Sequence, residues 1–204
     1  MGKQVTLNNK KKFHIGAHAS ISKGMKNALI SIEEIGGNAI QIFLKSPRAR
    51  ASKPLDETQA KEAKKYLKEK ELFLVGHCSY ILNFAKPFEE NLWAVESLVD
   101  DLTRIEKLGG IGVVLHIGKY LEYSKEEAFN NIKININKVL KFSPKNTHII
   151  LENTAGQGTE IGFKLEELAE LYESLEKHPR IKFCIDTCHA HAAGYNLSNK
   201  EGLE

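Results

Sequence analysis

Apolar residues along this chain follow two alternating rhythms. Six short runs rich in β-branched and aromatic residues, Phe13–Ala17, Asn38–Leu44, Leu72–Gly76, Ile111–Leu115, Thr147–Leu151 and Ile181–Ile185, read as strands of a parallel sheet. Between them the apolar positions move to helical spacing. Met25, Ala28, Leu29 and Ile32 form the first such stripe, Ala60, Ala63 and Leu67 the second, and Val95, Leu98, Leu102 and Ile105 the third. Ile132, Ile136 and Val139, then Leu165, Leu168, Leu171 and Leu175, complete five helices. Gly36-Gly37, Gly109-Gly110 and Pro179 punctuate them, and Ser124 with Glu127 has the form of a capping box.

Strands that alternate with helices imply an α/β fold whose parallel sheet is covered by helices, either doubly wound or a (β/α) barrel. The unit count favours a TIM barrel in which six of the eight βα units are present, because Asn196–Glu204 is polar and turn-like. Residues 13–204 are expected to form one barrel domain without a linker. Residues 1–12 read as a basic, frayed tail.

Composition sets bounds. A hydrophobic fraction of 42% with 27% charged residues excludes a disordered chain. No apolar run approaches the roughly 20 residues of a membrane span, and no signal peptide is recognisable, so a cytoplasmic location is expected, or a nuclear one in a eukaryotic or viral setting. The net charge of +3 owes much to Lys3, Lys10, Lys11 and Lys12; the rest of the chain has 25 basic and 26 acidic residues. Any phosphate-binding surface must therefore be local. Cys78, Cys184 and Cys188 form no C-x-x-C pair and are expected to be reduced, with Cys184 and Cys188 structural.

The candidate chemistry lies at the strand ends. His77, His116, Glu152 and Asp186 follow four of the six strands, His18 follows another more loosely, and His189 stands three residues beyond Asp186. An isolated histidine is more often structural. In a parallel sheet, however, strand ends converge, so these imidazoles and carboxylates become neighbours, and such a cluster would carry a desolvation cost without a cation. Two histidines and a carboxylate suit zinc, and a further carboxylate admits a second metal bridged by Glu152. The implied chemistry is hydrolytic: paired metals about 3.5–4 Å apart generate hydroxide from water and stabilise attacking and leaving oxygens. His191, in Ala-rich surroundings, is not expected to be a ligand.

Five motifs carry a resemblance: Ile15–His18, Gly76–Asn83, Leu151–Gly158, Gly162–Lys164 and Cys184–Ala190 followed by Ala193-Gly194-Tyr195. In this order they resemble the endonuclease IV family of apurinic/apyrimidinic (AP) endonucleases, over nearly the whole chain. The resemblance implies a zinc-dependent TIM-barrel enzyme that incises double-stranded DNA 5′ to abasic sites in base-excision repair. It makes His77, His116 and Glu152 the ligands of one zinc, Glu152 and Asp186 ligands of a second, and His189 a ligand of a third, with Glu152 and Asp186 central to catalysis. By position, Arg48 is the residue that enters the minor groove, with Tyr80 and Ile81 beside it. Lys45, Arg50 and Lys119 are candidates for phosphate contacts.

This sequence departs from the family after Tyr195. The family's Asp-x-His pair, further histidine and final glutamate have no counterpart, so only the first zinc site is expected to be complete and fewer than three zincs to bind. Manganese and iron are alternative metals. Open barrel edges would invite association, and this chain alone could be inactive. Two other readings stand beside the nuclease: a metal-dependent sugar isomerase of the same fold, and a non-catalytic remnant that binds DNA or a partner.

Overall fold

The computed structural model describes residues 13–48, 50 and 52–202 of the 204, so the basic tail expected over residues 1–12 lies outside the described residues. The elements run β1 (Gly16–His18), α1 (Met25–Glu34), β2 (Ala39–Phe43), α2 (Glu57–Lys70), β3 (Phe73–His77) and α3 (Phe88–Leu108). They continue with β4 (Gly112–His116), α4 (Lys125–Phe142), β5 (His148–Glu152), α5 (Leu165–Ser174), β6 (Ile181–Cys184) and α6 (Thr187–Ala192). Every strand pairs in parallel with the next, in the order β1-β2-β3-β4-β5-β6. This order decides between the two sheet types. A doubly wound sheet reverses its direction of growth at a switch point, whereas a barrel adds each strand beside the last.

Right-handed crossovers place successive helices on one face of such a sheet. Consistent with this, α1 packs on α2, α2 on α3, α3 on α4 and α4 on α5. The period of two along each strand sorts the side chains. Ile40, Ile42, Leu74, Val113, Leu115, Ile149, Leu151 and Ile181 enter the core beneath the helices. The register pairs Phe43 with His77, Val114 with Ile150 and His116 with Glu152. These residues alternate with the core positions and so share the inner face, where Val75, Val114, Ile150 and Lys182 line a groove of about 520 Å³. One side of the sheet thus builds stability and the other presents chemistry.

α3 shows how the sequence sets an element's length. Val95, Leu98, Leu102 and Ile105 are all buried against the sheet, and each full burial contributes roughly 1.5–3 kcal/mol. The helix stops where Gly109 takes the left-handed conformation (φ 85°), which costs glycine nothing sterically. At the start of α4 the capping box forms: Ser124 Oγ accepts from the Glu127 amide and Glu127 Oε2 from the Ser124 amide.

The strands shift slightly from the sequence expectation: β2 is one residue shorter at each end, and β3, β4 and β5 each run one residue later, so that His77, His116 and Glu152 end their strands rather than follow them. β1 begins at Gly16 rather than Phe13, because the Asn38 side chain accepts from the Ile15 amide and donates to the Phe13 carbonyl, holding that segment outside the ladder. At Gly16 itself a Cβ would lie 1.5 Å from the Ala39 carbonyl oxygen, so the strand pairing requires glycine. β6 ends one residue early, at Cys184. The stretch after Asp186 forms the helix α6, whose six residues are too few to display a helical period.

Candidate metal centre

His77, His116 and Glu152 are the last residues of β3, β4 and β5, and the sheet brings them together. Glu152 Oε2 lies 3.2 Å from His77 Nε2 and 3.0 Å from His116 Nε2. His77 Nδ1 lies 2.8 Å from the Cys78 carbonyl oxygen, which only accepts, so Nδ1 carries a proton. In the neutral ring Nε2 then presents a lone pair to a carboxylate oxygen. Two acceptors at that distance need a cation between them, a proton or a metal ion, and imidazole and carboxylate donors suit zinc.

Glu152 is 5% exposed. Burial opposes its ionisation, but hydrogen bonds to His116 and His77 outweigh burial and hold the carboxyl down at about 2, against an ordinary 4.5. The other oxygen, Oε1, faces a second group at 3.5 Å from His189 Nδ1. Asp186 Oδ2 lies 3.7 Å from the same nitrogen. Ligand atoms of His77, His116 and Glu152 fall within 4.8 Å of one another, as do those of Glu152, Asp186 and His189. One buried carboxylate therefore offers an oxygen to each of two groups able to hold a metal ion.

Asp186 and His189 also have structural tasks. Asp186 caps α6, its Oδ1 accepting from the His189 amide at 2.8 Å, which leaves Oδ2 for a cation. His189 Nδ1 donates to the Asn153 carbonyl at 2.9 Å, leaving Nε2 as the free donor atom. Fully buried Asn153 holds both: its Oδ1 accepts from the Asp186 amide (2.7 Å) and its Nδ2 donates to the Asp186 carbonyl (3.1 Å). Beyond its place in the Leu151–Gly158 motif, nothing in the sequence marks Asn153 as the residue that orients two candidate ligands.

The remaining candidates divide. His18 is exposed, 3.1 Å from Gln41 Oε1, and stands outside both groups, as does His191. Cys184 is half-buried, and burial with the nearby Glu152 and Asp186 charges pushes its thiol up to about 11, so it is a neutral thiol at pH 7. Cys188 is exposed on α6, contrary to the packing role expected of it. Tyr80 and Ile81 are 52% and 42% exposed, and the Tyr80 ring lies 5.4 Å from that of His77 and 5.8 Å from that of His116. Arg48 is exposed on the β2–α2 loop.

The three expected phosphate contacts do not stand equally. Lys45 is almost fully buried against Ser97, Asp100 and Asp101, which already neutralise it. Arg50 lies over the Trp93 ring at 4.9 Å, and Lys119 is half-exposed beside Glu160 at 3.2 Å.

Known proteins similar to this chain share its fold. Residues 30–203 match the family model of the xylose isomerase-like TIM barrel. Over 193 residues the chain is 37% identical to "Probable endonuclease 4" of Campylobacter concisus, covering 92% of this chain and 68% of that protein. Over 183 residues it is 38% identical to the protein of the same name from Symbiobacterium thermophilum, covering 88% and 66%. Among solved structures it resembles endonuclease IV from Thermus thermophilus, with TM-score 0.76, 32% identity, and coverage of 89% of this chain and 66% of that one. A D-tagatose 3-epimerase-like protein, at TM-score 0.69 and 20% identity over 93% of this chain and 71% of its own, shares the fold alone. The chain spans about two thirds of the length of the relatives it matches.

Proposed function

This chain belongs to the endonuclease IV family of xylose isomerase-like TIM barrels, and from that premise we propose that it is a zinc-dependent phosphodiesterase acting on double-stranded DNA 5′ to abasic sites in base-excision repair. The observation that carries the reading is the Glu152 carboxylate, with one oxygen towards His77 and His116 and the other towards Asp186 and His189. In this reading His77, His116 and Glu152 would hold one zinc, while Glu152 with Asp186 would supply part of a second site and His189 Nε2 one ligand of a third. Manganese or iron could occupy the same donors.

When bound, zinc supplies Lewis acidity, lowering the pKa of water and offsetting charge on phosphodiester oxygens. The chain's own residues do the rest. Glu152, ionised and desolvated, fixes the spacing of the two ligand groups; Asp186 presents Oδ2 from the N-cap of α6; Cys78 and Asn153 carbonyls set the ring orientations of His77 and His189. Exposed Tyr80 and Ile81 form a flat and an apolar wedge beside the ligands, and Arg48 a cation for the minor groove. No helix of the described residues is long and apolar enough to cross a membrane, and a cytoplasmic setting with DNA as partner fits this reading.

The test is incision of a duplex containing a single tetrahydrofuran abasic analogue by the zinc-loaded chain. The reading expects a nick on the 5′ side that chelation abolishes and added zinc restores. A chain that binds zinc stoichiometrically, yet neither nicks this duplex nor prefers it to the intact one, would overturn the proposal.

A further inference from the structure

Among the described residues between β2 and α2, which include Arg48, none lies in a helix or strand, and three anchors hold them instead. Lys45, at the loop's start, sends its ammonium into α3, 2.9 Å from the Ser97 carbonyl, 2.8 Å from Ser97 Oγ, 3.1 Å from Asp101 and 3.3 Å from Asp100. Arg104, three and four residues beyond these acids, takes the loop's far side: its Nη2 donates to the Lys53 carbonyl (2.9 Å) and Ser52 Oγ (3.3 Å), while Nε donates to Asp100 (2.8 Å). Ser97, Asp101 and Arg104 lie on one stripe of α3 at helical spacing, so a single rigid element grips both stems.

The third anchor joins this loop to its neighbour. The Pro47 carbonyl, one residue before Arg48, accepts from Ser79 Oγ at 2.6 Å and from the Tyr80 amide at 3.1 Å. Arg48 is thereby two bonds of chain from a contact with Tyr80's own backbone. Stability does not explain the arrangement. Asp101 is 1% exposed, and although 3.1 Å from the Lys45 ammonium, neither of its oxygens accepts a well-directed hydrogen bond. A buried ion pair of that kind is commonly no better for stability than an apolar pair of the same volume. What it provides is a fixed position.

We propose that Lys45 and Arg104, with their acidic partners on α3, are positioning residues that hold Arg48 at a set distance from Tyr80 and Ile81, making the two loops one pre-assembled wedge for an abasic site. The inference rests on the DNA reading above. Lys45 is spent on internal acids, so in this inference it acts on DNA only through Arg48.

The experiment compares the zinc-loaded wild type with Lys45→Met, Arg104→Gln, Arg48→Ala and the double variant Lys45→Met/Arg48→Ala. Fluorescence anisotropy measures binding to a tetrahydrofuran-containing duplex and to the intact duplex of the same sequence, at about pH 8. Lys45→Met and Arg104→Gln should each weaken abasic binding about tenfold or more and intact-duplex binding less than about twofold, with zinc content and the salt dependence of binding unchanged. The double variant should be no worse than Arg48→Ala alone. Equal losses on both duplexes, a salt slope lowered by about one, or additive effects in the double variant would each overturn the inference. If Lys45→Met does not fold, Arg104→Gln decides on the same criteria. A wild type without preference for abasic duplex instead sinks the DNA reading, and this inference with it.

Discussion

Replacing Glu152 by glutamine keeps shape and one oxygen acceptor but removes the charge, and it tests the centre where its logic is tightest. The carboxylate is 5% exposed, with Oε2 3.0 Å from His116 Nε2 and 3.2 Å from His77 Nε2. Zinc binding of roughly 10–16 kcal/mol over four ligands corresponds to about 3–4 kcal/mol per ligand, or two to three orders of magnitude in Kd. The metal-free chain should also suffer. Burial raises and the His116 and His77 hydrogen bonds lower the Glu152 carboxyl, leaving it at about 2 against 4.5. That net depression corresponds to at most about 3 kcal/mol of stability, present above about pH 4.5 while the imidazoles share a proton with the carboxylate, and lost as pH falls towards 2. Competition for zinc against a chromophoric chelator measures the first effect, and urea unfolding of chelator-treated protein at neutral pH the second. A glutamine variant within about threefold of wild type in zinc affinity would refute the claim that this carboxylate ligates metal.

Asn153→Ala should cost about 1–3 kcal/mol in urea unfolding, because it strips two part-buried hydrogen bonds from the Asp186 backbone. Zinc titration should show loss at the Glu152–Asp186–His189 group while the His77–His116–Glu152 group persists. At Asp101, burial pushes the carboxyl up to about 7 from 3.8 against the opposing Lys45 charge. Between those values the native state keeps a proton that the unfolded chain has lost, so stability falls as pH rises and levels off above about 7. Urea midpoints at pH 5 and pH 8 should differ by an amount equivalent to at most about 3 kcal/mol from this group, and Asp101→Asn should flatten that difference.

The sheet was legible because its signal is periodic. Buried parallel strands alternate their side chains with period two, so Ile40, Ile42, Val113 and Leu115 marked a core face and the strand ends marked a rim of candidate ligands. His77, His116 and Glu152 follow from that alone. Barrel and doubly wound sheet share the same local pattern, and only strand order separates them. Features that depend on partners distant in sequence were not legible. Lys45 reads as a basic loop residue until Asp100 and Asp101, more than fifty residues later, are seen to absorb it. α6 is too short to display a helical period, so the helix that one Asp186 oxygen caps was not legible.

The end of β5 is the hub through which the ligands are set relative to one another. Glu152 is the ladder partner of His116 on one side and of Cys184 on the other, so its backbone is fixed by both neighbouring strands. Its side chain meets His77, His116 and His189; the next residue, Asn153, bonds its amide to the Cys184 carbonyl and its side chain to Asp186, and accepts from His189. Two consecutive residues thus touch every candidate ligand. A perturbation within α6 can move only Asp186 and His189, whereas one that shifts the β5 terminus must move both ligand groups together. The asymmetry follows from the topology: in a parallel barrel an interior strand end is held from two sides, and a ligand placed beyond a strand inherits its position from whatever caps the next helix.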